Sequence, residues 1–328
     1  MTSVASLPAE DERRRLEECV REPIRAPGSI QPHGALIAVD PATLTITVAS
    51  DNCDAVLGID ARTLLGRPLV EVTGESWLAE HLDAFGGDSA VENPLAFELG
   101  ARHFDALVHR DGPSIIVEFE PASGEAGVQS AVAVYGAMHR LARLRTQRGL
   151  WQATARELCG LTDFERVTIY SFHPDGHGEI VAEELADGLE PYLGLHFPAS
   201  DIPEQARQLY LTKLSRLIVD NSGATSALLS LPGNDGDEPT APLDLSAVEL
   251  RSVSPHHLQF MRNMGQASTL SLSLVRDGRL IGMVTLAHSS EHRVPFILRQ
   301  GLEVLANQVA LQLNSMDEID RLTAQVHV

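Results

Sequence analysis

The sequence predicts an α+β fold in two domains, each an antiparallel sheet with flanking helices. Three observations lead there. Apolar residues alternate with period two in short runs, the mark of half-buried strands. Two of these runs, Ser268–Val275 and Arg279–Ala287, flank Asp277-Gly278, one of the strongest hairpin signals a sequence offers. Finally, 328 residues suffice for two separate cores.

Taken in order, residues 1–18 are charged and lack apolar periodicity, so they read as a flexible arm that ends at Cys19. Ala35–Val39 and Leu44–Val48 are strands joined by Asp40-Pro-Ala-Thr, a plausible hairpin turn. Helical pieces follow at Asp51–Leu57 and Ala61–Leu65, then strands at Pro94–Leu99, His103–His109 and Ser114–Glu120. Residues 121–130 read as a linker by composition, and Gly136–Cys159 as one long helix that opens the second domain. Glu165–Phe172 and Glu179–Glu184 are its first strands. Residues 221–248, rich in Gly, Ser, Pro, Asp and Leu, read as a long loop, either functional or disordered. From Gly301 to Val328, Leu302, Leu305, Val309, Met316, Ile319, Leu322 and Val326 form a helical seam that suits either core packing or helix pairing, interrupted by Gln312. The expected boundaries are an arm at 1–25, a first domain at 26–122, a linker at 123–136, a second domain at 137–318, and a helix running on through 319–328.

A formal charge of -20 disfavours nucleic acid, whose sequence-independent binding rests on Lys and Arg, and also disfavours anionic membrane surfaces. The arginines of residues 139–148 read as a solvated helix face. There is no fixed-period repeat, no run long enough to span a bilayer and no signal-peptide core, so a cytoplasmic protein is expected. Cys19, Cys53 and Cys159 lack metal-ligand spacing, which argues against a zinc site or a disulfide framework. GxSxG, Walker A and HExxH motifs are absent, and Gly176-His-Gly178 is too short for a phosphate loop, so no catalytic residues are assigned.

Phe197–Tyr210, FPASDIPEQARQLY, is the most informative stretch. Pro198 and Pro203 stiffen the turn between them. Asp201, beside Ile202 and Phe197, either meets a polar partner in an apolar wall or, like Ser200, caps the helix that begins near Glu204. Local sequence leaves both open. By itself Cys19 is an exposed thiol, and Arg216 and Arg251 are surface cations.

Three separated motifs decide otherwise. The PASDIP segment, the arm Cys19-Val-Arg-Glu-Pro-Ile with Pro27-Gly-Ser-Ile-Gln-Pro-His-Gly34, and Ser254-Pro-His-His-Leu-Gln-Phe-Met-Arg-Asn-Met-Gly265 together resemble the PAS and GAF domains of a bacterial phytochrome across residues 15–320. The resemblance implies a red/far-red photoreceptor holding biliverdin IXα as a thioether on Cys19. It further implies a knot in which the N-terminal arm threads the loop at 221–248, and a homodimer through GAF-domain helices. PHY and output modules, often a histidine kinase, would follow the sensory part, which is itself no enzyme.

For such a pigment, the matching positions give Arg216 and Arg251 to the two propionates, with Tyr210, Ser254, Thr269 and Ser271 as neutral hydrogen-bond partners. The backbone carbonyl of Asp201 would accept from the pyrroles, His257 would hold an ordered water, and Ile202 and Pro203 complete that wall. Tyr170, Phe197 and Phe260 would surround ring D. Two departures stand out. Phe260 replaces a frequent tyrosine, and Ala287 stands where a histidine usually bonds the ring D carbonyl. On a regular strand His288 faces the other way. A different class of reading, a PAS-GAF sensor of a cyclic nucleotide or haem, accounts for the domains but leaves Cys19 and the arginine pair without a role.

Overall fold

A computed structural model of the chain describes residues 22–81, 93–111, 114–122, 126–231 and 242–326. The first domain is built on β1 (Ser29–Ile30), β2 (Ala35–Val39), β3 (Ile46–Ser50), β4 (Leu95–Leu99), β5 (Arg102–Asp111) and β6 (Ser114–Pro121), with short helices α1 (Cys53–Leu57), α2 (Ala61–Leu64), α3 (Val70–Thr73) and α4 (Glu75–Glu80) on one face. The second has helices α5 (Ala126–Leu141) and α6 (Gln147–Thr162), then strands β7 (Arg166–Phe172), β8 (Gly178–Leu185) and β9 (His196–Phe197). A 3-10 turn at Ala199–Asp201, helix α7 (Glu204–Thr212), strands β10 (Ser215–Ile218) and β11 (Ser226–Ser230) and helix α8 (Pro255–Asn263) follow. Strands β12 (Ser268–Arg276) and β13 (Arg279–His288) and the long helix α9 (Phe296–Val326) complete it. Both sheets are antiparallel, as expected, with orders β1-β11-β3-β2-β6-β5-β4 and β10-β12-β13-β7-β8-β9.

The second sheet divides its faces cleanly. Leu270, Leu272 and Leu274 of β12 join Val284, Leu286, Ile169 and the helices α5, α6 and α9 in one core, where Leu302, Leu305 and Val309 of the expected seam are buried. The intervening Thr269, Ser271 and Ser273 point to the opposite face, because side chains alternate along a strand. Farther along α9, Ile319 and Leu322 are exposed.

Three expectations change. Gly136–Cys159 is not one helix: α5 ends at Leu141, and Thr146 caps the new helix by accepting from the Gly149 amide at 3.3 Å. Gln312, which interrupts the apolar seam, donates to the carbonyls of Leu141 (3.1 Å) and Leu144 (2.9 Å) at this break, tying it to α9. The stretch 123–136, expected as linker, is helical from Ala126, since α5 packs on α9. The segment 221–248 contributes a strand, β11, which has no partner in its own domain and pairs instead with β3 of the first sheet (Leu228↔Ser50, Ser230↔Val48) and with β1 (Ser29↔Ala227).

Residues 24–31 run between two legs of this insertion. On one side lies β11. On the other, Leu245 N donates to Arg25 O at 2.7 Å and Gln31 N to Leu250 O at 2.6 Å. The crossing that would make a knot involves residues 1–21 and 232–241, outside the described residues.

A buried set of charges joins the domains. On β6 the side chains of Glu118 and Glu120, both at most 1% exposed, point away from the first core and toward the second domain. Glu118 accepts from the amides of Glu249 (3.0 Å) and Leu250 (2.7 Å) and sits 2.7 Å from His109 Nε2. Arg299 of α9, also buried, pairs with both Glu120 oxygens at 2.6 and 3.2 Å and lies 3.6 Å from Glu249, which Lys213 also contacts. Burial alone would raise the Glu120 carboxyl, but the charge and hydrogen bonds of Arg299 outweigh it and hold the pKa below the usual range.

Replacing Arg299 with Met removes the buried partner that bonds both Glu120 oxygens, leaving Glu120 with Arg293 at 3.5 Å and Glu249 with Lys213. The expected cost is about 3–5 kcal/mol, read as a lowered urea midpoint. The paired change Arg299→Met/Glu120→Met should recover much of it. Because the folded pKa of Glu120 is depressed, its stabilisation is complete above the unfolded carboxyl value of about 4.3 and disappears as pH falls through the folded value. Glu120→Gln should therefore flatten the acid limb of the stability profile.

Candidate functional site: the polar face of the second sheet

The face of the second sheet turned from its core collects most of the predicted residues. Cross-strand pairing sets Arg216 beside Ser271, which faces Thr285, and sets Ile218 beside Thr269, which faces Ala287. A third row joins Ser273, Met283, Tyr170 and Ile180. Tyr170, Ile180 and Met283 are the buried centre of an apolar cluster that includes Phe197, Ile202 and Tyr210 with Phe172 and Tyr192. The Tyr170 and Phe197 rings lie 6.0 Å apart. One glycine makes room for them, since a Cβ on Gly178 would fall 1.8 Å from the Tyr170 ring.

Two helices wall this face. Helix α7 is fixed by Ser273 Oγ, which donates to the Tyr210 carbonyl at 2.7 Å. Pro203 holds the N-cap position of this helix. The preceding turn is braced by Arg207, unremarked in the sequence, whose Nε donates to Ile202 O (2.8 Å) and whose Nη2 donates to Gly176 O (2.7 Å) and Ala199 O (3.4 Å). An arginine one helical turn after a proline-bounded loop is the signal that could have found it.

Helix α8 forms the other wall. Ser254 is its N-cap, accepting from the His257 amide at 3.3 Å, with Pro255 at the first helical position. Leu258 and Met261 are buried on its inner side, and the Met261 sulfur is 3.9 Å from Thr269 Oγ1. His257 and Phe260, one turn apart, aim their rings outward 6.2 Å from each other, with Phe260 42% exposed. The His257 ring has an open surface although protein surrounds it at longer range, as on the wall of a concavity. Those walls, and then the Arg216 charge, push its pKa down, so the ring is neutral at pH 7.

The electrostatics centre on Arg216 and Arg251. Arg216 donates to the carbonyls of Glu249, Arg251 and Ser252, and Arg251 Nη1 donates to Ile24 O at 2.7 Å. Burial and the charge of Arg251 lower the pKa of Arg216 to about 9. Arg251 is lowered chiefly by burial, and Arg251 Nε is buried without a hydrogen-bond partner among the described residues. The Tyr210 phenol interacts with both guanidiniums. Two neighbouring cations taken from water, with a spare donor, make a receptor for anionic oxygen.

Ala287 is buried on this face, while His288 stacks on His292 at 4.9 Å on the other side, as strand alternation requires. Cys19 lies outside the described residues. Also unanticipated is the pair Arg166 and Glu183, in which Arg166 lies over the Tyr192 ring and Glu183 accepts from the amides of Tyr192 and Leu193. It fastens the 186–195 loop beside the apolar cluster. Gly178→Ala should displace the Tyr170 ring and cost roughly 1–3 kcal/mol by overpacking, measurable as a lower melting temperature with altered tyrosine near-UV circular dichroism.

Comparison with known proteins follows the same division. A PAS fold family model matches residues 19–122 and a GAF domain model matches residues 148–314. Cyanobacterial phytochrome B of Nostoc sp. is 32% identical over 95% of this chain and 42% of its own length. The bacteriophytochrome of Pseudomonas aeruginosa is 33% identical over 89% of the chain and 40% of its own. Among solved structures, the chromophore-binding domain of the Stigmatella aurantiaca bacteriophytochrome, a mutant in the Pr state, superposes with a TM-score of 0.83 at 38% identity, covering 90% of this chain and 99% of that one. The corresponding domain of an unusual bacteriophytochrome from R. palustris gives 0.83 at 34% identity, with 92% and 99% covered. The chain thus spans about two fifths of the length of the curated relatives it matches.

Proposed function

The chain belongs to the phytochrome family, and from that premise we propose that it is the pigment-holding part of a red/far-red photoreceptor that carries biliverdin IXα on Cys19. The observation that carries this reading is the buried pair Arg216 and Arg251 beside the Tyr210 phenol, on a face whose remaining lining is apolar or hydroxyl-bearing. An open-chain tetrapyrrole with two propionates matches that distribution, and when bound it supplies light absorption and a double bond that isomerises at ring D. Arg216 and Arg251 hold the carboxylates, with Ser254, Thr269 and Ser271 as neutral partners. Neutral His257 orders water near the pyrroles, and Asp201 offers its backbone carbonyl there. Tyr170, Phe197 and Phe260 would surround ring D, with Ile202 and Pro203 on the wall beside the Asp201 carbonyl.

Ala287 and Phe260 supply no polar group to that ring, so its restraint is weaker than a histidine or tyrosine would give. Isomerisation would pass to α9 and onward to PHY and output modules, such as a histidine kinase, in the longer protein; no enzymatic step is assigned to the residues described. Parallel pairing of chains is proposed along α5 and α9, where Tyr135, Leu311 and Ile319 line a groove of about 830 Å³ on the far side of the sheet. No helix among the described residues is long and apolar enough to cross a membrane, and we propose a cytoplasmic location.

Mixing the purified chain with biliverdin should produce a red absorbance band and a covalent adduct visible by zinc-induced fluorescence on a denaturing gel. Cys19→Ser should abolish the adduct, and loss of the absorbance band from the unaltered chain is the result that would refute the reading. Arg216→Ala and Arg251→Ala should each weaken pigment binding by about tenfold to a hundredfold, since hydrogen bonds to charged groups contribute roughly 1.5–3 kcal/mol. Ala287→His should alter photoconversion or dark recovery; unchanged spectra and kinetics would place this residue away from ring D.

A further inference from the structure

Three histidines meet at the tip of the β7–β8 hairpin, outside the set assigned to the pigment. His173 and His177 flank the turn, and His196 opens β9, which pairing with β8 sets directly opposite Glu179. The rings of His173 and His177 are nearly parallel with centroids 4.2 Å apart, and His196 is 5.2 Å from His177. One nitrogen from each lies within 4.8 Å of the other two. The turn itself is fixed, because His173 N donates to His177 O at 2.9 Å, Gly176 N returns a bond to His173 O at 2.9 Å, and Gly176 takes a φ of 89° that other residues rarely adopt.

Two carboxylates complete the arrangement. Glu179 Oε2 lies 3.0 Å from His173 Nε2, and Asp175 Oδ1 lies 2.5 Å from His177 Nδ1. Each carboxylate engages one ring nitrogen and leaves the other available. That division of labour is what metal-binding imidazoles need, since a carboxylate on the distal nitrogen fixes the tautomer and raises ligand basicity. His173 and His177 are part-buried and His196 is exposed, so an ion can reach the ligands from solvent.

We propose that His173, His177 and His196 bind a divalent transition ion, with Zn²⁺ as the ion of reference and water in the fourth position. Three imidazoles without thiolate suit zinc, which tolerates an open tetrahedral site. Tetrahedral bonds of about 2.0–2.1 Å require ligand nitrogens about 3.3 Å apart, so binding would draw the three nitrogens together and unstack the His173 and His177 rings. The spacing His-x-x-x-His escapes notice in the sequence because it spans a hairpin turn rather than one face of a helix. Occupancy would tie β9, and with it Phe197, to the hairpin.

The test uses the full chain purified without a polyhistidine tag, titrated with Zn²⁺ against a chromogenic chelator before any biliverdin is added, because pyrrole nitrogens also ligate zinc. One tight equivalent is expected, accompanied by a higher melting temperature. His177→Ala and His196→Ala should each weaken it at least tenfold, and Glu179→Gln by about 10–100-fold. His288→Ala/His292→Ala, which removes the other stacked histidine pair, should leave it intact. The proposal is overturned if the triple variant His173→Ala/His177→Ala/His196→Ala binds zinc as the unaltered chain does, or if the His288/His292 variant loses the tight equivalent.

Discussion

A charge removed from water has to find its partner where it is buried, and in this protein that requirement holds the two domains in one arrangement. Glu118 and Glu120 project from β6 on the face opposite the first core, where a carboxylate without partners is costly to bury. Their partners come from far along the chain. Glu118 takes the amides of residues 249 and 250, and Glu120 takes the Arg299 guanidinium. Around them Ile30, Leu36, Ile116, Leu245, Val248 and Leu250 exclude solvent, so apolar contact and ion pairing fix the same interface. Arg251, next to Leu250, is thereby set with Arg216 on the site, and α9 is tied at its first turn to the opposite domain. The geometry of the candidate site is therefore inherited from the interface.

Those features with short-range signals were visible in the sequence. The β12–β13 hairpin follows from alternation around Asp277-Gly278, and β2, β5 and β6 fall close to their expected spans. Where the cause is distant, the sequence is silent. Strand β11 looks like loop because its partners, β1 and β3, belong to the other domain. Glu120 and Arg299 stand 179 positions apart, and nothing local marks either as buried. Even the break between α5 and α6 is bridged by Gln312, a residue that reads as a flaw in the α9 seam until its two carbonyl partners are seen.

The site divides in the same way. Residues carried by motifs, such as Ser254, His257, Phe260, Asp201 and Tyr210, are placed by short helices whose caps and prolines are readable. Arg216, Thr269, Ser271 and Ala287 are brought together by register across β10, β12 and β13, which alternation fixes once the strands are paired. Arg207 escaped attention because its partners are backbone carbonyls, which carry no residue-specific signal. The buried pair Arg166 and Glu183 is likewise a product of strand pairing and of the loop folded over it.

The strand that the second domain lends to the first has an evolutionary consequence. Gene rearrangement readily exchanges domains that fold as self-sufficient cassettes. Here a duplication or fusion that carried off one half would leave a sheet short of β11 and a loop stripped of the β1 and β3 edges it rests on. A rearrangement that kept both halves together, and changed only what is attached beyond them, would leave every one of these strand pairings intact.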